Sequence, residues 1–132
     1  MLLARKNFLS HGHYEYIFDN VASLITEYCS SFDCYLACGC GEGYYTCGIE
    51  ERTNFANVIG TDIAKDAVRM CCSRSKEINW AVATASHLPI KNNSVDAITA
   101  IFSLLVPEEY SRVLKSGALA NLLASELIND GR

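Results

Sequence analysis

Apolar positions recur along this chain in two alternating rhythms. Ile17, Val21, Leu24, Ile25 and Tyr28 recur at helical spacing, which predicts an amphipathic helix over 14–30. Cys34 to Cys38 is a short apolar run that stops at glycines, and it reads as a first strand. A helix is predicted to open straight after those glycines, over 44–51, and Asn57 to Asp62 reads as a second strand that ends in an acid. Ala64, Ala67, Val68, Cys71 and Cys72 fall at i, i+3, i+4, i+7 and i+8, the stripe of another helix. Trp80 to Ala83 reads as a short third strand. Leu88-Pro89 and Lys91-Asn92-Asn93-Ser94 carry loop and turn signals.

Val95 to Phe102 reads as a fourth strand, and its near-continuous apolar character suits a strand covered on both faces. Pro107 fits the first position of a helix, with Glu108 and Glu109 at its positive end and Lys115 and Gly117 closing it. Ala118 to Ile128 is predicted to be helical again, with Leu119, Leu122, Leu123 and Leu127 on one side. Strands that alternate with helices predict an α/β fold, with a parallel sheet of about four strands flanked by helices. The first strand should be central, and a ligand should bind at the carboxyl ends of the strands. The expected organisation is one partial domain over 1–132: an N-terminal helical segment (1–30), an α/β core (31–117) and a divergent helical tail (118–132).

Composition narrows the function classes. The chain has 132 residues, half of them hydrophobic, enough for a core of its own. A net charge of -4 argues against a broad basic surface for nucleic acid. No apolar run reaches membrane-spanning length, and Met1 to Lys6 lacks the apolar stretch of a signal peptide, so a cytoplasmic protein is expected. The seven cysteines include no C-x-x-C pair. A zinc site drawn from Cys34, Cys38, Cys40 and Cys47 therefore has poor support; reduced, buried thiols and no metal are expected.

The chemistry concentrates in Gly39-Cys40-Gly41-Glu42-Gly43, between a strand and a helix. Glycines there allow a tight turn and a close approach of backbone to ligand. Asp62 follows Gly39 by 23 residues, at the end of the next strand, where a carboxylate can accept hydrogen bonds from two ribose hydroxyls. Together they predict a nucleoside-bearing cofactor. A dinucleotide fingerprint would need glycine three residues after Gly41, where this chain has Tyr44. The observed G-x-G-x-G spacing resembles that of methyltransferases, which points to S-adenosylmethionine. Gly39, Gly41, Gly43, Asp62 and Ile63 are the candidate cofactor residues of this stretch. Ser86, in Thr84-Ala85-Ser86-His87 after the third strand, is placed beside the adenine. Ser103, just past the fourth strand, is placed where methyl donor meets acceptor. Asp96 is expected to be structural, binding backbone amides at the start of its strand.

The chain further resembles a family along most of its length. The matching segments include Ala4-Arg5-Lys6-Asn7-Phe8-Leu9, Gly12-His13-Tyr14 and Cys38 through Thr46. They continue through Gly60-Thr61-Asp62-Ile63-Ala64-Lys65-Asp66-Ala67, Leu88-Pro89, Ser94 through Ile98, Ile101-Phe102, Glu108-Glu109 and Arg112 through Lys115. These resemble the bacterial 23S rRNA guanine-N(1) methyltransferases, class I S-adenosylmethionine-dependent enzymes of Rossmann-like fold. The resemblance implies that Tyr14 approaches the cofactor from the first helix and that Gly41 and Glu42 contact it. It also implies 23S rRNA as the substrate, with a guanine ring nitrogen as methyl acceptor.

Three departures accompany the resemblance. The family carries an acid two residues before the first glycine, where this chain has Ala37. The family begins with a cysteine-rich zinc-binding module, and this chain starts after it. Beyond Lys115 the family continues into further strands, whereas here Ser116-Gly117-Ala118 leads into a leucine-rich segment. A truncated or frame-shifted relative, or a fragment of a longer protein, is therefore expected, with the fourth strand at a sheet edge. The residues name no catalytic base; Glu42 and His87 are the ionisable candidates, and Glu42 is assigned to the cofactor. A small-molecule methyltransferase and an inactive cofactor-binding or interaction module are the competing readings.

Overall fold

The computed structural model describes residues 14–100 and 106–115. The elements, in chain order, are α1 (Tyr14–Tyr28), β1 (Cys34–Cys38), α2 (Tyr44–Glu50), β2 (Asn57–Asp62), α3 (Lys65–Arg74), β3 (Asn79–Val82), β4 (Ala97–Ala100) and α4 (Pro107–Val113). The strands form one parallel sheet in the order β3-β2-β1-β4, with β1 between β2 and β4. The end of the expected fourth strand at 101–102, Ser103, Gly117 and the tail helix over 118–128 lie outside the described residues.

Two apolar layers sandwich the sheet. On one face Tyr35 and Ala37 of β1 meet Ile17, Phe18, Val21 and Ile25 of α1, Tyr45 and Ile49 of α2 and Cys71 of α3. On the other, Cys34, Leu36 and Cys38 of β1 and Ile98 and Ala100 of β4 meet Tyr110 and Val113 of α4. The alternation follows from the strand period of two, and β1 and β4 are buried throughout because helices cover both faces. The four cysteines of the candidate zinc site divide between these two layers. Cys34 and Cys38 sit in one layer and Cys40 and Cys47 in the other, and no three His, Cys, Asp or Glu side chains among the described residues are grouped as metal ligands would be.

Several expectations are corrected by packing. The buried face of α1 includes Phe18 and Ala22, whereas Tyr28 is half exposed. Phe18 lies against Gly48 of α2, where a Cβ would come within 2.3 Å of its ring, so the close contact of the two helices fixes the face. On α3 only Val68 and Cys71 are buried, and Cys72 is exposed. β3 starts one residue early, because Asn79 pairs with Ile59.

β4 starts at Ala97, two residues into its apolar run. Val95 bridges Leu114 instead, and the Asp96 N–H donates to the Cys34 carbonyl at 2.8 Å. For the same reason α4 stops at Val113: Leu114 turns extended, and the Lys115 N–H donates to the Val95 carbonyl at 2.9 Å.

Asp96 ties the amino-terminal end of the sheet together. Its Oδ2 accepts the N–H groups of Asp33 and Cys34 at 2.8 and 2.9 Å, and its Oδ1 accepts from Ser31 and pairs with Lys115 at 3.0 Å. Burial alone would push this carboxyl up. The bonds from Ser31, Cys34, Lys115 and Asp33 outweigh burial and hold it below its ordinary value.

Candidate cofactor site

The glycine segment 39–43 leaves the carboxyl end of β1 as a tight turn. Gly39, Gly41 and Gly43 adopt φ of 75°, 57° and 89°, the left-handed region that costs other residues about 1–2 kcal/mol each. At Gly43 a side chain is refused twice, since a Cβ would lie 3.0 Å from Cys71 Sγ and 3.2 Å from the Trp80 ring. The Gly39 and Cys40 N–H groups both donate to the Thr61 carbonyl at 2.8 Å, which locks the turn onto the end of β2.

Asp62 completes that lock. Its Oδ2 accepts the Gly41 N–H at 2.8 Å, its Oδ1 accepts the Ala64 N–H at 2.8 Å, and its own carbonyl accepts the Ala83 N–H at 3.0 Å. One carboxylate thus joins the glycine turn, the start of α3 and the exit of β3. Each of its oxygens offers about two acceptor positions and uses one, so one remains on each. Beside it Ile63 is 71% exposed and Val82, its neighbour on β3, is 52% exposed. Two apolar side chains left open at the carboxyl ends of adjacent strands flank a buried carboxylate.

Helix α3 supports the turn from below. Cys71 Sγ donates to the Gly41 carbonyl at 3.2 Å, and Arg74 Nε donates to the Glu42 carbonyl at 3.0 Å while its guanidinium lies over the Tyr44 ring. Cys40 Sγ lies 3.7 Å from Cys71 Sγ; burial and the neighbouring thiol push Cys40 far above the ordinary thiol range. These thiols are packing groups. The hydroxyls of Thr46 and Thr61 are buried without a hydrogen-bond partner.

Of the expected site residues, Gly39, Gly41, Glu42, Gly43, Asp62 and Ile63 come together at the carboxyl ends of β1 and β2. The Glu42 side chain is exposed. Ser86 lies in an exposed turn closed by the Thr84–His87 bridge, with its hydroxyl 3.3 Å from that of Thr84. Tyr14 is the first residue of α1; the placement of its side chain, like Ser103, lies outside the described residues. Ala37 is buried between Gly60 and Thr99, so the place of the family acid lies inside the sheet. Cys71 and Arg74 reach the turn, and Val82 pairs with Asp62, only through the way α3 and β3 pack, which the sequence does not display.

This geometry agrees with what the chain is similar to. A family model described as a methyltransferase domain matches residues 36–120, from β1 past the end of α4. The chain belongs to the methyltransferase domain family. The Bacillus subtilis (strain 168) protein YxjB, provisionally named a 23S rRNA (guanine-N(1)-)-methyltransferase, is 29% identical over 113 residues. The match covers 82% of this chain and 40% of that protein, so the chain spans well under half of the curated relative's length. A Methanococcus maripaludis protein, provisionally described as an S-adenosyl-L-methionine-dependent methyltransferase, superposes with a TM-score of 0.69 at 18% identity, over 96% of this chain and 68% of that one. A geranyl diphosphate methyltransferase solved with S-adenosylmethionine gives 0.61 at 19% identity, over 74% and 45%. At these identities the likeness to solved structures concerns the fold. No helix among the described residues is long and apolar enough to cross a membrane.

Proposed function

We propose that this domain binds S-adenosylmethionine and serves an enzyme that methylates N(1) of a guanine in 23S rRNA. The observation that carries the cofactor reading is the Asp62 carboxylate, 2.8 Å from the Gly41 N–H with an acceptor position free on each oxygen. The residues present suit this cofactor. The turn at 39–43 offers backbone without side-chain obstruction, Asp62 offers acceptors for two ribose hydroxyls, and Ile63 and Val82 offer apolar cover for a purine. Ser86 and the amides of 84–86 stand past the exit of β3, where they would meet the edge of the base.

S-adenosylmethionine supplies a methyl group already activated on a sulfonium sulfur. The protein's share is therefore binding, alignment and exclusion of water. Asp62 and the glycine turn fix the nucleoside end. Tyr14 and Glu42 are assigned to the same cofactor, and Ser103 to the meeting point of donor and acceptor. A paired guanine hides its N(1), so the acceptor must be presented unpaired.

The rRNA reading is supported by the likeness to YxjB over most of this chain. A second reading, a small-molecule acceptor, is favoured by the net charge of -4. Transfer of a labelled methyl group from S-adenosylmethionine to unmodified 23S rRNA, run beside small phenols and amines, tests both. Label at guanine N(1) is the expected result. Label only in a small acceptor would overturn the rRNA assignment, and failure to bind cofactor at millimolar concentration would overturn the reading as a whole.

A further inference from the structure

The turn 84–87 is fixed at both ends, and its far end is held from α4. At its start the Ala83 N–H donates to the Asp62 carbonyl at 3.0 Å. At its end the Leu88 N–H donates to Glu109 Oε2 at 2.6 Å, and the Leu88 carbonyl accepts from Arg112 Nη2 at 2.9 Å. Arg112 Nη1 reaches on to the Ile90 carbonyl at 2.8 Å and Asn92 Oδ1 at 2.7 Å. Its Nε and Nη2 donate to Glu109 Oε1 and Oε2 at 3.0 and 2.7 Å. These are five bonds from a group with five donors, so the guanidinium is saturated in one orientation. A lysine, with a compact ammonium on a flexible stem, has no fork to span Leu88, Ile90 and Asn92 at once.

Most of these bonds reach a loop that no strand pairing holds. The loop contributes little to the sheet, yet its first residues leave β3 beside the exposed Val82 and the Asp62 carbonyl. The Arg112 hydrogen bond and the Leu88 N–H hold Glu109 at about 2, so the pair stays charged at neutral pH and acts as a fixed clamp.

We propose that Glu109 and Arg112 are positioning residues of the cofactor site: they hold the turn 84–87 in place to read the edge of the adenine, and so set the preference for an adenosyl over an inosyl cofactor. The inference rests on the cofactor reading above. It predicts a readout that loss of stability alone does not move, because inosine replaces the 6-amino donor with a carbonyl, turns N1 from an acceptor into an N–H donor, and leaves the ribose and amino-acid contacts untouched.

The test is calorimetric titration of the wild-type chain, Arg112→Lys, Glu109→Gln and Asp96→Asn with S-adenosylhomocysteine and S-inosylhomocysteine, each well below its melting temperature. Asp96 clamps the opposite end of the sheet and serves as the stability control. The wild-type chain is expected to prefer the adenosyl compound about tenfold, which one neutral hydrogen bond can supply. Arg112→Lys and Glu109→Gln should bring that preference within about threefold, equivalent to losing about half of that bond's free energy. Asp96→Asn should lower the melting temperature and keep the wild-type preference. A wild-type preference unchanged in both clamp variants, or no preference in the wild-type chain, overturns the inference alone. A wild-type chain that binds neither compound overturns the cofactor reading and this inference with it.

Discussion

Replacing Asp62 by asparagine isolates what the carboxylate does. The native group accepts two backbone N–H bonds, one on each oxygen, from Gly41 and Ala64. An amide has one oxygen and one NH2, so either Gly41 or Ala64 must face a donor. Asp62 is 9% exposed, so the orphaned N–H is poorly hydrated and costs about 1–3 kcal/mol. At about 3–6 °C per kcal/mol for a domain of this size, the melting temperature of Asp62→Asn should fall by roughly 3–18 °C.

Cofactor binding should suffer separately. Exchanging two charge-assisted bonds to ribose hydroxyls for neutral ones removes about 1–1.5 kcal/mol each, so affinity for S-adenosylhomocysteine should drop about 30- to 150-fold. Asp66, whose side chain is 92% exposed, supplies the control, and Asp66→Asn should leave affinity and melting temperature close to wild type. Calorimetry and thermal denaturation read both quantities. An Asp62→Asn affinity within about threefold of wild type, a difference under about 0.7 kcal/mol, would refute the ribose assignment. An unchanged melting temperature would refute the bridging role.

Other consequences follow from the same contacts. Gly43→Ala must hold φ near 89° and crowd Cys71 Sγ, a loss of about 2–4 kcal/mol from strain and overpacking. Adding Cys71→Ala should recover the steric part in a double-mutant cycle, and additive effects would contradict the crowding. Glu109 and Asp96 both have folded values below their ordinary ones, so their stabilisation is complete above about pH 5 and is lost as pH falls through the folded values, near 2 for Glu109. Melting temperatures should decline below pH 5, and Glu109→Gln should flatten that decline; a parallel decline in the variant would contradict the assignment. Thiol labelling of the native protein should modify the exposed Cys72 first and spare Cys40 and Cys71, which are buried and whose values burial raises; early loss of Cys40 or Cys71 in mass spectra would contradict their burial.

The parts of the molecule legible in sequence were those where one physical demand dominates. β1 and β2 appear with the expected bounds because a short apolar run, glycines and a terminal acid leave few alternatives. The glycine turn and Asp62 come together because backbone shape and carboxylate chemistry constrain those positions directly. Asp96 binds the amides of Asp33 and Cys34 as an acid at the start of a strand should.

Periodicity failed where two neighbouring residues compete for one face. Tyr28 and Cys72 continue their apolar stripes yet face outward, and Phe18 is buried because Gly48 leaves room for its ring. The start of β4 depends on Val95 pairing with Leu114 from a later segment, a contact 19 residues distant in sequence. In sequence Glu109 reads as an acid at the positive end of its helix and Arg112 as part of the family resemblance; only the fold brings the carbonyls of Leu88 and Ile90 to Arg112.

The most direct test of the central claim is backbone amide chemical-shift mapping of the whole chain during titration with S-adenosylhomocysteine. The account expects saturable shifts at Gly39, Gly41 and Gly43, at Asp62 and Ile63, and over 82–87, with Asp33 and Cys34 at the opposite end of the sheet unmoved. Shifts confined to other surfaces, or none at saturating ligand, would contradict it.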